Sequence, residues 1–349
     1  MDHPGADALE RLALVLAGAP AAVRRALAAA GAEPSPFGRL ASEGFAAVVR
    51  SARPLLRGEV PAVLDRIGTA GWRWAVPGTP GYPAGVSALS DPPLGLFVRG
   101  TVPEAPGAAV VGSRRATPYG RQVGRLLGEA LAAAGVPVVS GMARGVDAAA
   151  HEGALAGGGP TVAVWGAGPD RVYPPEHGPL AEAIVDGGGA LVTEFPPGTP
   201  PRPHHFPRRN RIIVGLARAV VVVEARARSG ALNTARQALD EGREVWAVPG
   251  SILSELSVGP NALIRMGARP LLVPDELIRE LGRRPAVPEG AGADPPSPVL
   301  DAIPSGRSLP PDAIAAAAGL PVGEVLTALL TLELEGRVER LPDGSYARR

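Results

Sequence analysis

The spacing of apolar positions changes along the chain. Over residues 1–75 they recur every three to four residues. Ala8–Leu16 and Ala21–Ala30 are alanine- and leucine-rich runs separated by Gly18-Ala19-Pro20, and short segments of the same kind continue through Leu64–Gly71. That period marks amphipathic helices, with Gly and Pro punctuating the turns, so a small all-α domain is predicted for 1–75. Residues 76–107 are rich in Pro and Gly. Tyr82-Pro83 and Asp91-Pro92-Pro93 read as an extended connection that ends in one short strand, Leu94–Arg99.

From Ala108 the pattern becomes one of short, continuous apolar runs. Ala109–Val111, Val136–Val139, Thr161–Trp165, Ala190–Thr193, Ala219–Val223 and Glu244–Val248 read as strands. Between them, Tyr119–Ala134, Ala148–Leu155, Leu180–Asp186 and the stretches near 209–217 and 231–241 read as helices. Strands that are apolar throughout and alternate with helices belong to a parallel sheet covered on both faces. Right-handed crossovers then make residues 76–282 an α/β, Rossmann-like, doubly wound and mostly parallel domain. Residues 283–298 have the composition of a linker. Residues 299–349 read as a winged helix: Pro311–Ala318 and Pro321–Glu335 as two helices around Gly319-Leu320, then a hairpin across Pro342-Asp343-Gly344.

Composition removes several chemistries. Among 349 residues there is no Cys and no Lys, so disulfides, thiolate metal sites, Schiff bases and a phosphate-loop lysine are excluded. Net charge is +1, which points to no partner by itself. The N-terminus lacks the basic and apolar regions of a signal peptide, and no apolar run is long enough to cross a bilayer. A cytoplasmic protein with no membrane association is expected.

Local charge is more informative. Ligands of open parallel sheets bind beyond the carboxyl ends of the strands. Four segments fall there: Gly112-Ser113-Arg114-Arg115, Ser140-Gly141-Met142-Ala143-Arg144-Gly145, Gly166-Ala167-Gly168, and the long loop from Phe195 to Arg208 that runs into Arg209-Asn210-Arg211. Gly and Ser at a strand-to-helix turn expose backbone N–H groups at a helix N-terminus, which suits anions, and Arg adds a planar fork that matches phosphate. Between Glu194 and Glu224 there is no acid, while Arg202, Arg208, Arg209, Arg211, Arg218, His204 and His205 all lie there. Such a basic crest, with Phe206 inside it to stack on a base, suits a polyanion better than a mononucleotide.

Other candidates carry less. Asp147 and His151 lie at i, i+4 on a helix; with no third ligand nearby, a structural role outweighs an acid/base pair or a metal site. Glu224 ends a strand at the binding edge, either as a catalytic carboxylate or as an anchor for the loop 229–234 or for an Arg. No turn carries the complete dinucleotide fingerprint, so no cofactor and no metal are expected.

Taken in order, Val110-Val111-Gly112-Ser113-Arg114, Tyr119-Gly120, Ser140-Gly141-Met142-Ala143-Arg144-Gly145-Val146-Asp147 with Ala150-His151, Phe206-Pro207-Arg208-Arg209-Asn210-Arg211-Ile212-Ile213, Glu224-Ala225 with Ser229-Gly230 and Thr234-Ala235, and Val248-Pro249-Gly250 with Asn261-Ala262-Leu263-Ile264 resemble the DNA-processing protein A (DprA/Smf) family. The likeness runs from about Tyr82 to Ala268. It implies a non-enzymatic protein of natural transformation that binds and protects incoming single-stranded DNA, loads the RecA recombinase on it, and dimerises through the Rossmann-like domain. By motif, the family's DNA pocket falls on Gly112, Ser113, Arg114, Arg144, Arg208, Asn210 and Arg211. The basic crest adds Phe206 and Arg209, and the turn after the first strand adds Arg115. The family also implies a sterile-alpha-motif-like N-terminal domain and a C-terminal winged helix. The competing class is a nucleotide phosphoribohydrolase on a related fold, but its Pro-Gly-Gly-x-Gly-Thr turn is missing at 227–234.

The winged helix has an unusual charge. Residues 299–349 hold five arginines against seven carboxylates, a net of −2, and Pro321–Glu335 contains no Arg. A groove-reading helix needs positive and hydrogen-bonding side chains, so this module is expected to bind protein, or its own chain, rather than duplex DNA.

Overall fold

The computed structural model describes residues 5–28, 35–42, 44–79, 81–285, 297–304, 307–334 and 337–348. The chain forms two compact units, 1–286 and 287–349. The first opens with α1 (Ala6–Leu16), α2 (Ala21–Ala28), α3 (Pro36–Ser42), α4 (Ala46–Ala52) and α5 (Glu59–Thr69), followed by β1 (Trp72–Ala75), α6 (Ala84–Ser87) and β2 (Leu96–Gly100). Then come β3 (Gly107–Val111), α7 (Pro118–Ala133), β4 (Val138–Ser140), α8 (Val146–Ala156), β5 (Thr161–Val164), α9 (Gly178–Asp186) and β6 (Ala190–Thr193). The unit closes with α10 (His205–Leu216), β7 (Ala217–Val222), α11 (Gly230–Asp240), β8 (Glu244–Ala247), α12 (Val258–Arg265), β9 (Arg269–Pro270) and α13 (Pro274–Glu280).

The nine strands form one sheet in the order β1-β2-β6-β5-β4-β3-β7-β8-β9. The run from β6 to β9 is parallel, while β1 and β2 join antiparallel at one edge. The expected doubly wound, mostly parallel sheet is therefore present. Winding starts at β3 and proceeds outward to β6, then restarts from β3 through β7 to β9, so the order reverses between β3 and β7.

The apolar runs explain why this sheet is buried on both faces. Successive residues of a strand point to opposite sides. Ala109, Val111, Val220 and Val222 pack with Ile212, Ile213, Ala231 and Ala235 of α10 and α11. Their neighbours Ala108, Val110, Ala219 and Val221 pack with Leu127, Leu131, Ala150 and Ala154 of α7 and α8. The N-terminal helices share a core with the sheet through Trp72, Trp74, Phe97, Trp165 and Leu191. Arg24 of α2 reaches Asp91 at 2.8 Å.

Two departures from the sequence reading stand out. Residues 72–75, counted within the helical segment, form edge strand β1. It is a four-residue piece directly after a helix, and only the pairing of Trp72 and Trp74 across to β2 defines it. Residues 258–280, for which no element was expected, hold α12, β9 and α13.

The second unit contains α14 (Pro298–Asp301), β10 (Ser308–Leu309), α15 (Pro311–Ala318), α16 (Val322–Leu334), β11 (Val338–Arg340) and β12 (Tyr346–Arg348). Its sheet order is β10-β12-β11, one strand more than the expected hairpin. Much of the expected linker, Ala29, Ala30 and Glu335 lie outside the described residues. Among the described residues, no single helix is long and apolar enough to cross a membrane.

Candidate nucleic-acid interface

The reversal of strand order between β3 and β7 opens a crevice beyond their carboxyl ends, where ligands of such sheets bind. Here it is an open cleft of about 790 Å³. Of the ten residues singled out from sequence, Gly112, Ser113, Arg114, Arg115, Phe206, Arg209 and Asn210 line it. Arg144 borders a narrower cavity that shares Arg114, Phe206 and Arg209 with the cleft. Arg208 and Arg211 line neither.

Each wall has a local cause. Thr117 caps α7: its side chain accepts from Gly120 N at 3.1 Å, and Pro118 follows at the first helical position. Gly145 leads into α8 with φ +83°, and a Cβ there would collide with the Ser113 carbonyl. Glycine thus lets the loop after β4 close against the loop after β3. Ser229 caps α11 by accepting from Leu232 N at 3.4 Å. The N-termini of three helices therefore meet around the cleft, with the partial positive charge that attracts anions.

Arg114 is exposed, and its guanidinium carbon stands 4.4 Å from the centroid of the Phe206 ring. Tyr173 adds a second ring 5.7 Å from Phe206. Arg144 is exposed and ion-paired to Glu176, holding that carboxyl below the usual range through its hydrogen bond. Arg209 is only 4% exposed. It donates to the Val164 carbonyl, and burial lowers its pKa to about 10, with Asp147 acting in the opposite direction. Burial likewise pushes the Asp147 carboxyl up.

The acid-free stretch after Glu194 is less free than it reads. Glu194 folds back and receives Arg208 at 2.7 Å and Arg211 at 2.8 Å, and Arg211 also reaches Asp91 at 3.5 Å. Arg211 is thus a buried ion-pair partner. Arg208 is half-exposed at the crest, over the Phe195 ring at 5.2 Å. Asn210 is buried and its amide donates to the Gly230 carbonyl at 3.4 Å, tying α10 to α11.

Glu224 is an anchor, but for Thr117 rather than for the loop 229–234 or an Arg. Its carboxylate accepts from Thr117 N at 2.9 Å and Thr117 Oγ1 at 2.5 Å, fixing the start of α7. Asp147 and His151 do not form an acid/base pair. The His151 ring lies 2.7 Å from Thr161 Oγ1 and 2.6 Å from the Gly141 carbonyl. A carbonyl only accepts, so Nε2 carries the proton, and burial drives the pKa down to about 4. Among the described residues, no group of three His, Asp or Glu side chains is placed to hold a metal.

Sequence reading passed over Arg226 and Arg228, which line the cleft just beyond β7, and Tyr173. The first two carried a signal: basic residues between the end of a switch-point strand and the cap of the next helix.

The family model described as DNA recombination-mediator protein A matches residues 73–282, and that for the DprA winged helix domain matches 283–344. The chain belongs to the DNA recombination-mediator protein A family. Protein Smf of Escherichia coli is 45% identical over 280 residues, covering 76% of this chain and 75% of that protein. The structure of the DprA of Streptococcus pneumoniae matches with a TM-score of 0.64 at 30% identity, covering 80% of this chain and 99% of that one. The DprA of Helicobacter pylori, whose structure is described by its single-stranded DNA binding mode, matches with a TM-score of 0.54 at 28% identity. That match covers 60% of this chain and 95% of the other. The Rossmann-like sheet and the winged helix are thus each a feature of that family.

Proposed function

We propose that this protein binds single-stranded DNA in the cleft between β3 and β7, shields it, and passes it to the RecA recombinase during natural transformation and homologous recombination. It acts in the cytoplasm as a binding protein rather than an enzyme. The observation that carries this reading is the stack of Arg114 on Phe206 at the mouth of a cleft whose wall holds the buried Arg209. A cation and an aromatic face side by side match a phosphate followed by an unstacked base. A duplex keeps its bases stacked and cannot offer one to Phe206.

The backbone N–H groups of Ser113 and Arg114 meet one phosphate, the Gly112 N–H being held by Asp147, and Arg115, Arg144, Arg226 and Arg228 extend the positive field along the strand. Arg208 adds charge at the rim, while Arg211 and Asn210 hold α10 in place. The hydrolase reading needs a free carboxylate, and Glu224 is spent on Thr117. For the homodimer, support comes from the exposed apolar side chains Ile252, Leu253, Met266 and Leu272 along one stretch of the Rossmann-like domain. Two clefts in one dimer raise avidity for long strands. Transfer to RecA rests on membership of a recombination-mediator family.

The test is fluorescence anisotropy with labelled oligo-dT and a matched duplex over a salt series. The expected result is preference for the single strand and affinity that falls as salt rises. Binding to neither form at low salt, with release of free base from a nucleoside monophosphate, would replace this reading with the hydrolase.

A further inference from the structure

A run of ion pairs leads from the N-terminal helices to the basic crest. Arg24 of α2 holds Asp91 with two bonds, Nε at 3.2 Å and Nη2 at 2.8 Å. The same carboxylate receives Nε of Arg211, on α10, at 3.5 Å, the far end of hydrogen-bonding distance. Arg211 also donates through Nη2 to Glu194 Oε2 at 2.8 Å, and Arg208 Nη2 reaches that same oxygen at 2.7 Å. Arg24, Arg211 and Glu194 are buried, whereas Arg208 at the end of the run is 41% exposed.

The network is unevenly filled. Two guanidinium groups crowd one oxygen of Glu194, while its Oε1 and the Nη1 of Arg211, both buried, have no hydrogen-bond partner among the described residues. A second arrangement fills both. Arg211 turns its two terminal nitrogens onto the two Glu194 oxygens, the fork-on-fork geometry that guanidinium and carboxylate favour. That move gives up the long bond to Asp91 and releases Arg208 from the shared oxygen. The opposite move, with Arg211 drawn to Asp91, leaves Glu194 to hold Arg208.

We propose that Arg24 and Asp91 are positioning residues for strand binding: through Arg211 and Glu194 they set whether Arg208 is held back or free to meet a phosphate. The inference rests on the single-strand reading above. Arg24 occupies Asp91, weakens its hold on Arg211, and so favours a free Arg208. The N-terminal helices thereby act on the strand through the interior of the protein.

The experiment measures oligo-dT affinity by anisotropy for the full chain as wild type, Arg24→Gln, Arg24→Lys and Asp91→Asn, each also combined with Arg208→Ala. In Arg24→Gln, Asp91 loses its fork and takes Arg211, so affinity is expected to fall by about two- to fivefold. Arg24→Lys keeps a cation on Asp91 and is expected to restore most of it. Asp91→Asn commits Arg211 to Glu194 and is expected to raise affinity by about the same factor, steepening the log–log salt slope by about 0.7. With Arg208→Ala, both effects are expected to vanish.

The opposite signs separate positioning from loss of structure, which lowers affinity in both variants. If Arg24→Gln fails to fold by circular dichroism, Asp91→Asn decides alone, because misfolding does not raise affinity. Weaker or unchanged binding by Asp91→Asn, or effects that persist without Arg208, overturn the proposal. A wild-type protein that binds no strand at all brings down the single-strand reading first.

Discussion

Arg114, in the turn after β3, and Phe206, in the first turn of α10, are far apart in sequence, yet the guanidinium of one covers the ring of the other at 4.4 Å. The two side chains have separable roles on a strand. Arg114→Ala removes one phosphate contact, so affinity is expected to fall for every sequence and the salt slope to shrink by about 0.7. Phe206→Leu removes a stacking surface worth about 1–3 kcal/mol per base and leaves the slope unchanged. Anisotropy over a salt series distinguishes the two.

Arg211 and Arg208 share Glu194 but differ in burial. Removing Arg211 leaves Glu194, 2% exposed, with only the half-exposed Arg208. Breaking a buried pair costs about 3–5 kcal/mol, so Arg211→Ala is expected to lower the urea midpoint strongly. Arg208→Ala keeps the Arg211 pair and is expected to cost below about 1 kcal/mol. Equal midpoints for the two variants would contradict the network.

His151 makes stability depend on pH. Its native pKa of about 4 lies below the ordinary 6.5. As pH falls from 6.5 towards 4, the unfolded chain takes a proton that the native ring refuses, so stability is lost across that window. The total is about 3 kcal/mol. Asp147, whose carboxyl is raised by burial, works in the opposite sense, because its native form takes up a proton more readily than the unfolded chain. In urea titrations at pH 7 and 4.5, His151→Gln is expected to lose less stability than wild type. An identical loss would remove His151 as the cause.

The winged helix is expected to be dispensable for the strand. On α16, Val322, Leu326 and Leu330 are exposed at successive i, i+4 positions, and the only charged residues of that helix are Glu324 and Glu333. Such a face suits protein better than phosphate. Deleting 290–349 is expected to leave single-strand affinity within about twofold by anisotropy; loss of most affinity would place a DNA contact on this unit.

The sheet was legible because its strands are apolar on both faces, a pattern that helices and exposed strands do not share. Ligands of such a sheet bind beyond the carboxyl ends of its strands, which is why Gly112–Arg115, Phe206 and Arg209 were found together. The ion pairs were not legible. Glu194 stands just outside the acid-free stretch, and Asp91 is 120 residues from Arg211, so the arginines of 208–211 read as one free crest. Burial sorted them: Arg209 to the cleft wall, Arg211 to the interior. Edge strand β1 was hidden for a similar reason, since only its partner in space defines it.

Gly128 lies well along α7, away from the cleft. A Cβ at that position would strike the Ala150 carbonyl of α8. The bare backbone lets the two helices touch, and both begin at the cleft, one behind the Ser113 turn and the other behind Gly145. Their crossing therefore acts as a gauge: it sets the stride between two anion-seeking helix ends. A single methyl group wedged at Gly128 would lengthen that stride without touching any residue that meets a ligand.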